Sequence, residues 1–267
     1  MSTTTQTTGP TLDISTTAPV PFARLVKVEL RKTYDTRAGV WLLGITAFLA
    51  AAVMVVALII VLVQDEPIKL DDFVAIANFI SGFLLPVLGI MLVTSEWSQR
   101  TAMVTFTLEP HRGRIVTAKL MAGLILALLV SLIATAAAFL VNGIYAVAHG
   151  DGDWHLGFLE LLGFLFTQMI AMLTGFAFAT LLLNTAAAIV VYFAYSFLVP
   201  TIFAIAAQFL DWFKDVQPWV DFTQAQQPLI TASMTGEDWA QLLVSGFIWL
   251  VIPVALGLWR ILRAEVK

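Results

Sequence analysis

The sequence predicts an all-α membrane protein: six transmembrane helices, an N-terminal amphipathic elbow helix and an outer re-entrant hairpin between helices 5 and 6. Three observations lead there. First, 60% of the residues are hydrophobic and only 12% are charged, about half the charged share of a soluble domain. Second, the apolar residues fall into runs long enough to cross a bilayer, which takes about 20 residues for a hydrocarbon core of about 30 Å. Third, the cations keep to alternate breaks between those runs. Arg24, Lys27, Arg31, Lys32, Arg37, Arg100, Arg112, Arg114, Lys119, Arg260, Arg263 and Lys267 share one side, and only Lys69 and Lys214 fall on the other. Short loops rich in Lys and Arg stay cytoplasmic, so both termini are expected inside.

The elements follow in order. Residues 1–20 are rich in Ser and Thr, carry Pro10 and Pro19, and have too few large apolar side chains to fold. They read as a disordered cytoplasmic tail. The basic n-region and apolar core of a signal peptide are missing. Residues 21–37 put Phe22, Leu25, Val26 and Leu30 on one helical face and Arg24, Lys27, Arg31 and Lys32 on the other. Such a helix lies in the interface with its cations towards anionic headgroups. Val28 and Glu29 break the pattern.

Spans are expected at about 39–64, 73–95, 118–147, 158–183, 185–210 and 239–261, forming one transmembrane domain over residues 21–267. The fourth and fifth need separating, because residues 161–210 contain no charge. One helix of that length would run about 75 Å, over twice the membrane thickness. Asn184-Thr185 is the only polar pair near its middle, so the chain turns there. Trp41, Trp97, Trp154, Trp212, Trp219, Trp239 and Trp259 lie at or near span ends, where indole meets water and lipid together; Trp249 alone is central. Between spans 5 and 6, Phe209, Trp212, Phe213, Val216 and Val220 recur at helical spacing, punctuated by Pro218 and Pro228. That segment is too apolar for a plain loop and too interrupted to span, which gives the outer hairpin. Pro86, Pro200 and Pro253 fall inside spans and favour kinks there.

Absences narrow the function. No charge lies well inside a span, Glu160 being near an outer end, whereas proton- and sodium-coupled carriers need such groups. No G-x-x-x-x-G-K-[ST] occurs, so the chain is expected to bind no ATP through a P-loop of its own. His111, His149 and His155 lie in loops without the H-E-x-x-H spacing, and cysteine is absent. The chain is therefore expected to be no enzyme, with no catalytic residue and no metal site. Nucleic-acid binding is not expected either, since the cations hug the span ends. Uncharged polar residues within spans (Asn78, Ser81, Asn142, Gln168, Thr174, Tyr192, Tyr195, Ser196 and Gln208) are first of all interhelical hydrogen-bonding groups.

The most informative connection is 96–114, between spans 2 and 3. It opens on a carboxylate, continues as a short semi-apolar helix, breaks at Pro110 and re-enters the membrane through basic residues. Here the chain resembles the permease subunits of ABC-2 type transporters, the type V exporter architecture. Their recurring pattern matches Glu96, Thr101, Leu108, Pro110, Arg112, Arg114 and Lys119. Three departures stand out. Arg100 occupies a position where family members often have Gly, the Leu-x-x-Pro spacing is shortened, and His111 stands where small residues are common.

The resemblance implies a permease in an ATP-driven exporter of the bacterial cell membrane. Its cargo would be hydrophobic or amphipathic: a drug, antibiotic, peptide or lipid-like molecule. Two cytoplasmic ABC ATPase subunits, holding ATP and Mg, would dock on the 96–114 loop and the elbow helix. The coupling residues would be Glu96, Arg100, Thr101, Leu108, Pro110, Arg112, Arg114 and Lys119, with Arg24, Lys27 and Arg31 from the elbow. A second permease chain, identical or related, would complete the path. By the same resemblance spans 2 and 5 line that path, making Asn78, Phe79, Phe83, Tyr192, Tyr195 and Ser196 candidates. The alternative is a non-transporting scaffold or sensor anchor that recruits a cytoplasmic partner through the same loop.

Overall fold

A computed structural model describes residues 20–64, 68–150 and 152–263. The expected tail at 1–20 lies almost wholly outside them. The described chain is helical throughout: α1 (Phe22–Asp35), α2 (Arg37–Gln64), α3 (Leu70–Ser98), α4 (Ala102–Leu108), α5 (Arg112–His149), α6 (Phe158–Leu182), α7 (Thr185–Phe209), α8 (Asp211–Val220), α9 (Gln227–Ile230), α10 (Gly236–Gly246) and α11 (Ile252–Arg263). Six helical stretches are long and apolar enough to cross a membrane: α2, α3, α5, α6, α7, and α10 continuing into α11. The basic residues gather at one end of the bundle, called here the basic end.

Local chemistry sets most boundaries. The Lys69 N–H donates to Asp72 Oδ2 at 3.1 Å, and Asp71 and Asp72 put negative charge on the first turn of α3, where the helix dipole favours it. Between α6 and α7 the chain turns where the polar pair predicted. Leu183 is left-handed at φ 53°, and Asn184 Oδ1 accepts the N–H of Ala187 at 2.9 Å, capping α7. The three prolines behave differently. Pro86 and Pro200 sit inside uninterrupted α3 and α7, whereas Pro253 follows a π-helical turn, Phe247–Val251, that joins α10 to α11. A π turn absorbs the backbone mismatch that a proline introduces.

Helices α3 and α6 form the centre. In their most apolar windows 61% and 50% of residues are buried, against 11% in α2 and 17% in α7. Glycine is the reason the two central helices can touch. A Cβ added at Gly175 of α6 would lie 2.2 Å from the Pro86 carbonyl oxygen, and one at Gly89 of α3 would lie 2.7 Å from that of Met172. Small residues let backbones approach where no water is present to drive association. A polar knot locks the pair. The Gln168 Nε2 donates to the Asn78 carbonyl at 2.6 Å, with Asn78 Oδ1 and Ser81 Oγ each 2.9 Å away.

At the opposite, acidic end the chain between α7 and α10 folds back on the bundle. The Leu229 carbonyl sits where a Gly163 side chain would be, and the Trp249 indole N–H donates to the Val220 carbonyl at 2.7 Å. The central tryptophan of the sixth span thus serves the returning connection.

Substituting Gly175 by Val should separate α3 from α6. The expected loss is about 1–3 kcal/mol from overpacking, read as a lower unfolding midpoint in detergent. Gly113→Ala, which meets nothing within 4 Å, should leave that midpoint unchanged.

Candidate functional site

Four ionisable side chains from three elements converge at the basic end. Glu29 and Lys32 come from α1, Glu96 from the last turn of α3, and Lys119 from the start of α5. Helix α1 presents Val26, Glu29 and Thr33 inward, so its amphipathic face carries a carboxylate. Lys119 Nζ donates to Glu29 Oε2 at 2.8 Å and to the Leu92 carbonyl at 3.0 Å, and lies 3.2 Å from Glu96 Oε1. Lys32 Nζ donates to Glu29 Oε1 at 2.7 Å and to Glu96 Oε1 at 2.5 Å. Glu29, Glu96 and Lys119 are 4%, 7% and 5% exposed, so each ion depends on the others for the solvation that water no longer supplies.

Burial opposes the charge on Lys32, but the carboxylates of Glu29 and Glu96 outweigh it and hold the ammonium above its ordinary value of 10.5. A raised lysine stabilises the fold wherever it is protonated. Its contribution is therefore complete throughout the neutral range and disappears only as pH climbs through that raised value.

Beside this cluster the chain leaves α3 and forms α4. The turn between them is tight: the Thr101 N–H donates to the Glu96 carbonyl at 2.9 Å, and Arg100 adopts φ 58°. That left-handed backbone suits Gly, the residue often found here in the family that the chain resembles, and costs an L-residue about 1–2 kcal/mol. Met103, Val104 and Leu108 of α4 are 48%, 60% and 78% exposed, an apolar strip on a helix seven residues long. Phe106 turns the other way, onto Trp97 at 6.1 Å between ring centroids and under the Arg112 guanidinium at 4.9 Å. Arg112 Nη1 also donates to the Ile261 carbonyl at 2.8 Å, tying the start of α5 to α11. Buried Glu109 accepts from Arg114 Nη1 at 3.0 Å and has His111 Nδ1 3.1 Å away, while Arg114 Nη2 reaches the Val20 carbonyl at 2.6 Å.

Eight residues named from the 96–114 connection and its flank are thus gathered at one end. Glu96 and Lys119 are in the ion cluster, Arg112 and Arg114 tether the loop, and Arg100, Thr101, Leu108 and Pro110 are exposed on its surface. Arg24 and Lys27 point outward from α1, and Arg31 pairs with Asp35 at 2.7 Å on the surface. One assignment on α1 changes. Lys32, placed by the helical wheel on the outward cationic face, turns inward to Glu96. The ion cluster takes Lys32 because a helix position at the edge of the face can swing to meet a buried carboxylate. Glu29 and Glu109 were missed. Glu29 carried a signal, since a carboxylate on an apolar helical face is costly unless paired.

The residues of spans 2 and 5 divide in two. Phe83 packs on Phe193 at 5.0 Å and Phe197 at 5.6 Å, with Tyr192 5.3 Å from Phe193 and Phe79 exposed one turn along α3. Asn78 is instead engaged with α6, and Tyr195 with Phe178 at 5.3 Å and Trp249 at 4.6 Å. Phe193 and Phe197, four residues apart on α7, complete the aromatic face.

The family model for ABC-2 family transporter proteins matches residues 47–266. The chain belongs to the ABC-2 transporter family. The ABC-2 match covers Glu96, Lys119 and the whole 96–114 connection, and begins after α1. An ABC-2 permease is a membrane component of an ABC transporter, and its partner is an ABC ATPase. No curated protein matches the ABC-2 chain at a significant level.

Breaking the cluster should be costly. Glu29→Ala is expected to remove about 3–5 kcal/mol, seen as a marked fall in unfolding midpoint. Glu29→Ala with Lys119→Met should cost less than the sum of the single changes, because neither leaves the other unpaired. Arg31→Ala, at the exposed pair with Asp35, should leave the unfolding midpoint essentially unchanged. Arg100→Gly is expected to stabilise the chain by about 1 kcal/mol through relief of its left-handed backbone, measured in the same assay.

Proposed function

We propose that the chain is the permease of an ATP-driven exporter, with both termini and the 96–114 connection on the cytoplasmic side of a bacterial cell membrane. Two ABC ATPase subunits, which hold ATP and Mg, dock from that side, and a second permease chain completes the path. The observation that carries this reading is the exposed apolar strip of α4 standing directly over the ion cluster. Docked partners bury apolar surface at the centre of an interface, and a strip of this kind on a tethered helix is a surface on which an ATPase can push.

The tethers decide where such a push goes. Helix α4 is joined to the end of α3 through the Glu96 carbonyl and to α5 through its own Phe106 beneath Arg112, and Arg112 in turn joins α5 to α11 through the Ile261 carbonyl. The ion cluster extends the connection to α1. Closure of the ATPases would therefore displace α1, α3, α5 and α11 together, and α6 with α3, because their backbones touch. Helices α2 and α7 are less buried, although the Thr185 hydroxyl at the start of α7 is 2.8 Å from that of Thr94 and 2.9 Å from that of Ser98 on α3. The cargo face would be the aromatic surface of Phe79, Phe83, Phe193 and Phe197. It offers stacking and apolar contact with no charge, which suits hydrophobic or amphipathic cargo better than ions or sugars.

Val104→Glu and Leu108→Glu change exposed side chains only. They should leave expression and thermal stability intact while lowering both ATPase co-purification and permease-dependent ATP turnover in vesicles at least about tenfold, the effect of losing one good apolar anchor. Unchanged binding and turnover in both variants would remove α4 as the docking helix. ATPase recruitment without any cargo-stimulated turnover by the unmutated chain would instead favour the scaffold.

A further inference from the structure

A cavity of about 330 Å³ opens between α1, the start of α2, the end of α3 and α4. Its volume is that of a small-molecule site, and its chemistry is two-sided. Met91 and Val104 supply apolar wall, while Lys32 and Glu96 supply charge. The three N–H donors of Lys119 are spent within the cluster, on Glu29, Glu96 and the Leu92 carbonyl. Those of Lys32 are not, since it meets only Glu29 and Glu96 and its side chain is 38% exposed. Glu96 Oε1 serves both lysines, and among the described residues no donor reaches Glu96 Oε2. The cavity therefore offers one ammonium N–H and one carboxylate oxygen on neighbouring side chains.

A lone anion entering there would meet Glu96, and a lone cation would meet Lys32. A ligand with both charges satisfies both. We propose that this cavity takes the zwitterionic headgroup of a phosphoethanolamine lipid. A phosphate oxygen accepts from Lys32, and the primary ammonium donates to Glu96 Oε2. The glycerol end leaves along Met91 and Val104. Both contacts are charge-assisted and short in reach, and charged pockets at membrane-surface level are where lipid headgroups are held. A choline headgroup has no N–H to donate and fits less well. The position suits the occupant, because amphipathic α1 and the exposed Trp41 near the start of α2 mark this end as the membrane boundary. The inference goes beyond the transport reading and does not rest on it, since occupancy is measured without ATPase or cargo.

The chain contains no cysteine, so Ser95→Cys places a single thiol on the cavity wall. The full chain carrying it is placed in nanodiscs of phosphatidylcholine alone, or with added phosphatidylethanolamine or phosphatidylglycerol, and thiol modification by a small methanethiosulfonate is timed. Phosphatidylethanolamine is expected to slow labelling by about tenfold or more, the worth of one charge-assisted hydrogen bond, with no such effect from the other two lipids. Adding Glu96→Gln should abolish the protection. Because that change also disturbs the cluster, Thr105→Trp provides a second route: it fills the cavity without touching an ion, and mass spectrometry of the purified chain should then lose a phosphatidylethanolamine that the unmutated chain retains. Equal labelling in all three lipids, protection by phosphatidylglycerol, or lipid retained by Thr105→Trp would overturn the proposal. So would full protection by soluble phosphoethanolamine in phosphatidylcholine discs, which would make the occupant a free solute and not a lipid.

Discussion

Charges taken out of water must find partners, and at the basic end of this chain that requirement joins elements far apart in sequence. Glu29 and Glu96 would each be untenable alone where they sit, and so would Lys119. Together with Lys32 they alternate in sign, and Lys119 finishes its coordination on the Leu92 carbonyl. The arrangement sets where α1 lies against α3 and α5. Because α4 hangs from the same turn of α3, its placement follows from the ion cluster as well.

A second constraint acts deeper in the bundle. Inside a membrane apolar side chains gain nothing by leaving lipid for one another, so close backbone approach and hydrogen bonds must hold helices together. Gly89 and Gly175 provide the approach, and Gln168 with Asn78 and Ser81 provides the bonds. The result is a rigid pair, α3 and α6, flanked by helices with large exposed apolar faces. The two constraints meet on α3, which carries the glycine contact at its middle and Glu96 at its end. A displacement of that end is a displacement of the central pair.

The cluster also leaves something over. With Lys32 and Glu96 each short of one partner, its outer edge is polar, and the neighbouring cavity is walled by apolar side chains. Such a site lies between α1 and α4, so whatever fills it bears on how firmly those two elements are held apart. A lipid there would make the response of the permease depend on membrane composition.

Composition and periodicity by themselves determined that the chain is an all-α, six-span membrane protein, where it turns at Asn184, and that a short helix interrupts the 96–114 connection. These are local properties: hydrophobic run length against bilayer thickness, a capping side chain, a proline after a short helix. Even the left-handed backbone at Arg100 was foreshadowed by the glycine that the family pattern has there. Only the tertiary structure decided which polar residues act together. Glu29 looked like a flaw in an amphipathic pattern until Lys119, ninety residues away, was brought to 2.8 Å. Lys32 looked solvated until Glu96 reached it, and Asn78 looked available to a path until Gln168 engaged it. Pairing of this kind depends on which helix faces lie against each other, and no periodicity along one segment encodes its distant partner.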